Sequence, residues 1–259
     1  PGASCRVGGN REKDWGKKKK FREGQAKQVL DTLFFDFIDL AKELQPKVVI
    51  AENVKGLLLG SAKKYVRDVY PKLRGAGYQL GIRPYLLDAS KMGVPQRRER
   101  VFFIALRNDL APRFMEQIDM FQRAPKLELN FNEPEIPFRE IEEVGVKKGE
   151  SKISQSSLEM WNRTKIGSEM FRTSGHKAIS HYKLNPEKTL YTILASDSAG
   201  AFHWKVPRTL TKSENCKAGS YPLDYDFLGM KSKYLIGMSV PPVMMANIAI
   251  EVYNQWLAE

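Results

Sequence analysis

The sequence predicts an α/β fold in which a sheet interleaved with helices is joined to a second, irregular segment. Three observations carry this. Apolar, β-branched runs stand at 47–51 and 101–106. Between and before them, apolar residues recur at the i, i+3, i+4 spacing of amphipathic helices. From about residue 111 to 205 that order lapses, and polar stretches such as KKGESKISQSS take over. Strands alternating with helices argue for an α/β sheet, and a loss of pattern argues for a separate segment.

The elements follow in order. Val29, Leu30, Leu33, Phe34, Phe37, Ile38, Ala41 and Leu44 define a helix over about 25–44, ended by Pro46. Lys47–Ala51 reads as a strand covered on both faces, as in a parallel sheet, with Glu52, Asn53 and Val54 directly after it. A second helix covers about 62–73 and stops at Gly75 and Gly77. Tyr78–Leu87 reads as a strand, and after the loop DASKMGVPQRRER comes another, Val101–Leu106. Within 111–205 there are short β-like runs, such as Thr189–Leu194, and no clean helical period. Order returns with Leu235–Val240 and Pro241–Pro242, which open a final helix over about 243–257 that is apolar on more than one side. The chain therefore divides into 1–110, 111–205 and 206–259.

Composition narrows the function. At 259 residues the chain can bury a sizeable core. Its 42 Lys and Arg against 30 acidic residues leave a net charge of +12, which suits a polyanionic partner such as nucleic acid. The apolar runs read as too short for a bilayer, so no membrane is expected. Two cysteines, Cys5 and Cys216, make no disulfide framework and no CxxC zinc motif, which fits a reducing cytoplasm. His176, His181 and His203 form no metal-binding spacing, so no metal is expected. No GxSxG elbow is present.

Three groups of residues could carry chemistry. Ligands of open α/β sheets bind at the carboxyl ends of strands, where Glu52 sits. It is either a solvated strand-end carboxylate or a partly desolvated one suited to proton donation. Arg98 and Arg100 precede a strand and, by alternation, point to one side, where they could hold a phosphate or hold Glu52. The loop 10–22 carries Arg11, Lys13, Lys17 to Lys20 and Arg22 with Trp15 and Phe21 interleaved, which suits a nucleic-acid groove or plain solvation.

Taken in order, Glu52-Asn53-Val54, Gly93-Val94-Pro95-Gln96-Arg97-Arg98-Glu99-Arg100-Val101, Arg208-Thr-Leu-Thr211 with Glu214, and Gly237-Met-Ser-Val-Pro-Pro242 resemble the motifs of the DNA cytosine-5 methyltransferases over nearly the whole chain. The resemblance implies a methyltransferase-type, Rossmann-like α/β sheet with a small, irregular, mostly-β target-recognition domain at 111–205. It implies methyl transfer from S-adenosylmethionine to C5 of a cytosine flipped out of duplex DNA. A cysteine thiolate would attack C6 of that base. Glu52, with Asn53 beside it, would bond and protonate the N3 edge. Arg98 and Arg100 would hold base, acid and backbone. Gly237, Ser239 and Val240 would touch the cofactor. Arg11, Lys13, Lys17, Lys18, Arg22 and Arg208 would meet DNA, with about 7–22 as a mobile lid. Localisation would be cytoplasmic, at the nucleoid.

The chain departs from that family at three places. Anchored on Gly9, the family's Pro-Cys-x-x-Phe-Ser-x-x-Gly puts the nucleophile at Gly2, the Phe at Cys5 and the Ser at Arg6. Cys5 stands three residues away, at about 3.3–3.6 Å per extended residue, too far to substitute. The Gly-rich cofactor loop and the acid that binds its ribose do not occur, so the sheet is expected to lack its N-terminal strands. Met238 stands where the family usually has Asn. The lone chain is therefore expected to be inactive. It reads as a fragment, as one subunit of a split enzyme whose second chain carries the cofactor motifs, or as a catalytically dead, sequence-selective DNA-binding protein. An RNA methyltransferase on the same scaffold is a further alternative.

Overall fold

The computed structural model describes residues 33–58, 62–118, 120, 122–171, 177–195 and 200–258. Gly2, Cys5, Arg11, Lys13, Lys17, Lys18, Arg22 and His176 lie outside these residues. The chain forms two compact units. Among the described residues, one holds 33–87, 99–129 and 254–258, and the other holds 88–98 and 130–253. These divisions run along other lines than the three sequence segments, because 88–98 and most of the C-terminal stretch group with the irregular region.

The first unit is a helix-covered sheet. Its elements are α1 (Leu33–Leu44), β1 (Val48–Val54), α2 (Ala62–Gly75), β2 (Tyr78–Leu80), β3 (Tyr85–Asp88, its last residue in the other unit) and β4 (Glu99–Arg107). The strand order is β1-β4-β2, with β3 also on β4. Both β1 and β2 run antiparallel to β4. This corrects the parallel-sheet reading of β1. The strand buried on both faces is β4, whose Val101 to Leu106 are all at most 2% exposed, while β1 alternates. Phe34, Ile38 and Ala41 of α1 and Val69 and Leu73 of α2 pack with Val49, Ala51, Val101, Phe103 and Ala105 on one sheet face. β1 also runs on through Glu52, Asn53 and Val54, because β4 extends to Glu99 and keeps the ladder paired. Glu52 is thus inside the strand rather than after it. The expected strand 78–87 is broken in two around Pro84, which has no N–H for a ladder.

The second unit is a loop-rich body around two apolar clusters. One gathers Phe138, Ile141, Leu184, Leu190, Ile193, Leu210, Cys216, Phe227 and Ile236, and the smaller holds Met160, Met170 and Phe202. Strands β7 (Glu169–Phe171), β8 (Lys177–Lys183) and β9 (Gly200–Phe202) form a three-stranded sheet. The pair β5 (Met115–Gln117) and β6 (Arg123–Pro125), also within the span expected to be irregular, belongs to the first unit. A helix that periodicity missed, α3 (Gln155–Arg163), starts where Ser154 accepts from the Ser157 N–H. Thr189–Leu194 is no strand and makes one bridge, Gln96 to Leu190.

The C-terminal run is α4 (Lys212–Ala218), α5 (Ser232–Met238) and α6 (Pro242–Val252). By length and composition Ser232–Leu257 is long and apolar enough to cross a bilayer, contrary to the reading that all apolar runs are too short. It is interrupted at Ser239–Pro241 between α5 and α6. α6 buries one face, with Met244, Ile248 and Val252, and exposes Val243 and Ile250.

Candidate active site

On the first unit, the register puts Glu52 opposite Phe102 and Val54 opposite Arg100. Glu52, Val54 and Arg100 therefore share a face, with Glu52 and Arg100 on the diagonal that a long side chain can bridge. Arg100 Nε donates to Glu52 Oε1 at 2.8 Å, and its Nη1 donates to the Glu99 carbonyl at 2.8 Å. Burial pulls the Arg100 pKa down, and the adjacent Glu52 carboxylate opposes the shift. The guanidinium stays charged, as arginine does in proteins. Beside the pair, Lys55 Nζ grips both Glu99 oxygens at 2.8 Å and ties the ends of β1 and β4 together. Asn53 faces the other way, 2% exposed. Its Oδ1 accepts from the Val54 N–H, while its Nδ2 has no partner among the described residues.

On the second unit, Arg98 is fully buried. Its guanidinium donates to the carbonyls of Ile193 (3.0 Å), Gly237 (3.0 Å) and Ser239 (2.7 Å). Gln96 works alongside it, donating to the Ala218 carbonyl and accepting from the Ile193 N–H. The expectation that Arg98 and Arg100 point to one side is corrected. β4 begins at Glu99, so Arg98 lies before the pleat and serves a carbonyl cradle of its own.

Arg208 is also corrected. It was expected to contact DNA, but it is 2% exposed and forks onto both Glu214 oxygens at 2.7 Å. Burial alone would raise the Glu214 pKa. The Arg208 fork and the N–H groups of Glu143 and Thr211 hold it below its usual value. Thr211 and Glu214 form a capping box on α4. Cys216 is buried in the apolar cluster, and burial raises its thiol pKa, so it is no substitute nucleophile. His203 is a buried structural residue. Its Nδ1 accepts from the N–H groups of Lys205 and Val206, and its Nε2 meets Glu142 at 2.7 Å.

The turn expected to touch the cofactor has several of its polar groups engaged within the protein. The Gly237 and Ser239 carbonyls belong to Arg98, and the Ser239 hydroxyl donates to the Ile236 carbonyl. A Cβ on Gly237 would sit 2.3 Å from the Ala195 nitrogen, so this glycine is explained by close backbone packing. Met238 is exposed and Val240 half-buried. Met238 and Val240 give the turn an apolar side. Among the described residues no group of three His, Cys, Asp or Glu is placed to hold a metal ion.

Sequence reasoning missed Glu150. Its carboxylate accepts from the Ser232 N–H and hydroxyl and from Asn215 Nδ2. It thereby caps the N-terminus of α5, where Lys231 makes no side-chain cap. No local spacing announces this, since 82 residues separate Glu150 from Ser232.

The helix-covered sheet, with an acid–arginine pair near one strand end, is of the α/β methyltransferase class. Solved structures of that fold include the S. pombe Dnmt2 methyltransferase (TM-score 0.57, 15% identity, 90% of this chain and 75% of that one). The Entamoeba histolytica methyltransferase EhMeth is similar (TM-score 0.56, 15% identity, 86% and 68%). The chain belongs to the C-5 cytosine-specific DNA methylase family, whose profile matches residues 14–254. It is similar to the Type II methyltransferases M.Eco47II of Escherichia coli (30% identical, 87% of this chain and 57% of the relative) and M.BbvI of Brevibacillus brevis (27%, 79% and 58%). The chain thus spans under two thirds of the length of these relatives.

Proposed function

We propose that the chain is the base-binding and DNA-recognition part of a DNA cytosine-5 methyltransferase. The observation that carries this is the Glu52–Arg100 pair at the C-terminal end of β1. In this reading a cytosine is flipped out of the duplex and its N3 edge meets Glu52, which donates a proton as C6 is attacked. Arg100 orients the Glu52 carboxylate. Asn53 turns its amide inward, so its part is structural. Unit 2 and the basic loop 10–22 would read and grip DNA. The methyl donor expected for the family is S-adenosylmethionine, with Gly237, Ser239 and Val240 as its contacts from this chain.

The thiolate has no source at Gly2, which lacks a side chain, and Cys5 is displaced. The lone chain is therefore expected to bind duplex DNA and transfer no methyl group. Gly2 also favours a second reading, a catalytically inert, sequence-selective DNA-binding protein.

The test is tritiated methyl transfer from S-adenosylmethionine to duplex DNA, run beside DNA binding at low and high salt. Binding without transfer is expected. Transfer above background refutes the inactivity. No binding at low salt removes both DNA readings.

A further inference from the structure

Within the second unit, segments 142–151 and 203–210 lie side by side and are fastened along their length. His203 Nε2 meets Glu142 Oε1 at 2.7 Å, and Trp204 Nε1 donates to the same oxygen at 3.2 Å. Arg208 Nε donates to the Val146 carbonyl at 3.1 Å, and the Glu150 N–H to the Leu210 carbonyl at 2.8 Å. The Ser151 N–H reaches Thr209 Oγ1 at 3.1 Å. This fastening sorts the charges. The carboxylates of the first segment are all engaged within the unit: Glu142 by His203 and Trp204, Glu143 by the Thr211 hydroxyl, and Glu150 at the start of α5. The second segment has no acid. The lysines of the two segments, Lys147, Lys148 and Lys205, are exposed, and none meets a carboxylate among the described residues. The backbone at Lys205 is pinned, because His203 Nδ1 accepts from its N–H and from that of Val206. Its Nζ lies 5.9 Å from the ring centroid of the half-buried Trp204. The result is a set of cations of one sign on a fixed support, which is the footprint of a polyanionic partner.

We infer that Lys147, Lys148 and Lys205 are phosphate contacts for the backbone of duplex DNA, a part that the buried Arg208 cannot play. Three observations select this occupant. The chain carries a net charge of +12. All three lysines lie within the span 14–254 that matches the DNA methylase profile. The basic loop 10–22 has the same sign of charge, with eight Lys and Arg counted through Arg11, Lys13, Lys17 to Lys20 and Arg22 outnumbering Glu12 and Asp14, so it is no electrostatic partner for them. Phosphate contacts fix register and orientation on the duplex and carry no sequence information. The three lysines therefore set affinity, and leave the choice of sequence to other residues. The inference rests on the DNA reading above and names contacts of the second unit.

The test compares the 259-residue chain with the triple variant Lys147→Gln/Lys148→Gln/Lys205→Gln. Binding to two duplexes of unrelated sequence is measured by fluorescence anisotropy across a salt series. A control, Lys42→Gln/Lys47→Gln/Lys72→Gln, removes the same charge from exposed positions of the first unit. The patch variant should lose about 0.9 of log–log slope per lysine, so from about 50 to about 200 mM salt its affinity should fall about 40-fold less than that of the wild type. The loss should be the same on both duplexes, and the thermal midpoint should not move, since the three side chains are exposed. The control should keep the wild-type slope. Four results overturn the inference: an unchanged slope in the patch variant; an equal loss in the control, which makes net charge the cause; a midpoint that falls sharply, which makes the lysines structural; or an RNA duplex of the same sequence that binds more tightly than DNA and is lost in the variant, which makes RNA the occupant. Wild-type binding that the patch variant retains in full refutes the patch alone. No wild-type binding at low salt refutes the DNA reading, and the patch with it.

Discussion

At the scale of single residues, three arginines, one half-buried and two buried, divide the labour. Arg100 serves the acid, Arg98 serves backbone carbonyls, and Arg208 serves Glu214. For Arg208→Met, leaving the buried Glu214 unpaired should cost about 3–5 kcal/mol in urea unfolding. The double variant Arg208→Met/Glu214→Gln should be less destabilised than the two singles summed, because the uncompensated charge is gone. The same double variant should leave the salt dependence of DNA binding unchanged. A residue that neutralises a phosphate would instead, on removal, reduce the slope of log K against log salt by about 0.9. His203 makes a pH prediction. Burial first, then Arg208, lower its pKa in the folded state, with Glu142 opposing. The unfolded chain, near pKa ~6.5, then binds the proton more readily. This contribution to stability is full above that pH and is lost as pH falls below it. Urea midpoints at pH 7.5 and 5.5 should show a larger loss for the wild type than for His203→Asn.

At the scale of elements, ordinary local signals explain most of what forms, and long-range contacts set the ends. Ser154 caps α3, and Thr211 with Glu214 boxes α4. α5 has no such signal and takes its cap from Glu150. Glu150→Ala should therefore cost about 1–2 kcal/mol, whereas Ser156→Ala, exposed in the first turn of α3, should cost little. Gly237→Ala should be worse, roughly 3 kcal/mol, because its methyl would strike backbone atoms of Leu194 and Ala195 that cannot rotate away. Chemical denaturation of the three variants ranks them. The strands were legible as apolar runs, but their direction was not. A β-branched run such as VVIA reads alike in a parallel or antiparallel ladder, and only the pairing with β4 decides. α3 was hidden because nine residues with a single buried face leave little periodic signal.

At the scale of the molecule, the net charge of +12 makes the proposed DNA binding a matter of ionic strength. Binding should weaken steeply with salt, and Lys17→Gln with Lys18→Gln should flatten the log–log slope by about 0.9 for each phosphate that those lysines neutralise. The sequence by itself determined the α/β class, the family resemblance and the candidacy of Glu52 and Arg100. Each rests on local pattern or on motif order, and both are written along the chain. Only the tertiary structure decided which arginine reaches the acid, that Arg98 and Arg208 are buried in ion-pair and carbonyl cradles, and that Glu150 caps a helix 82 residues away. A guanidinium has the same formula in solvent and in a core. Its task is set by what folds around it, and those partners lie far off in sequence.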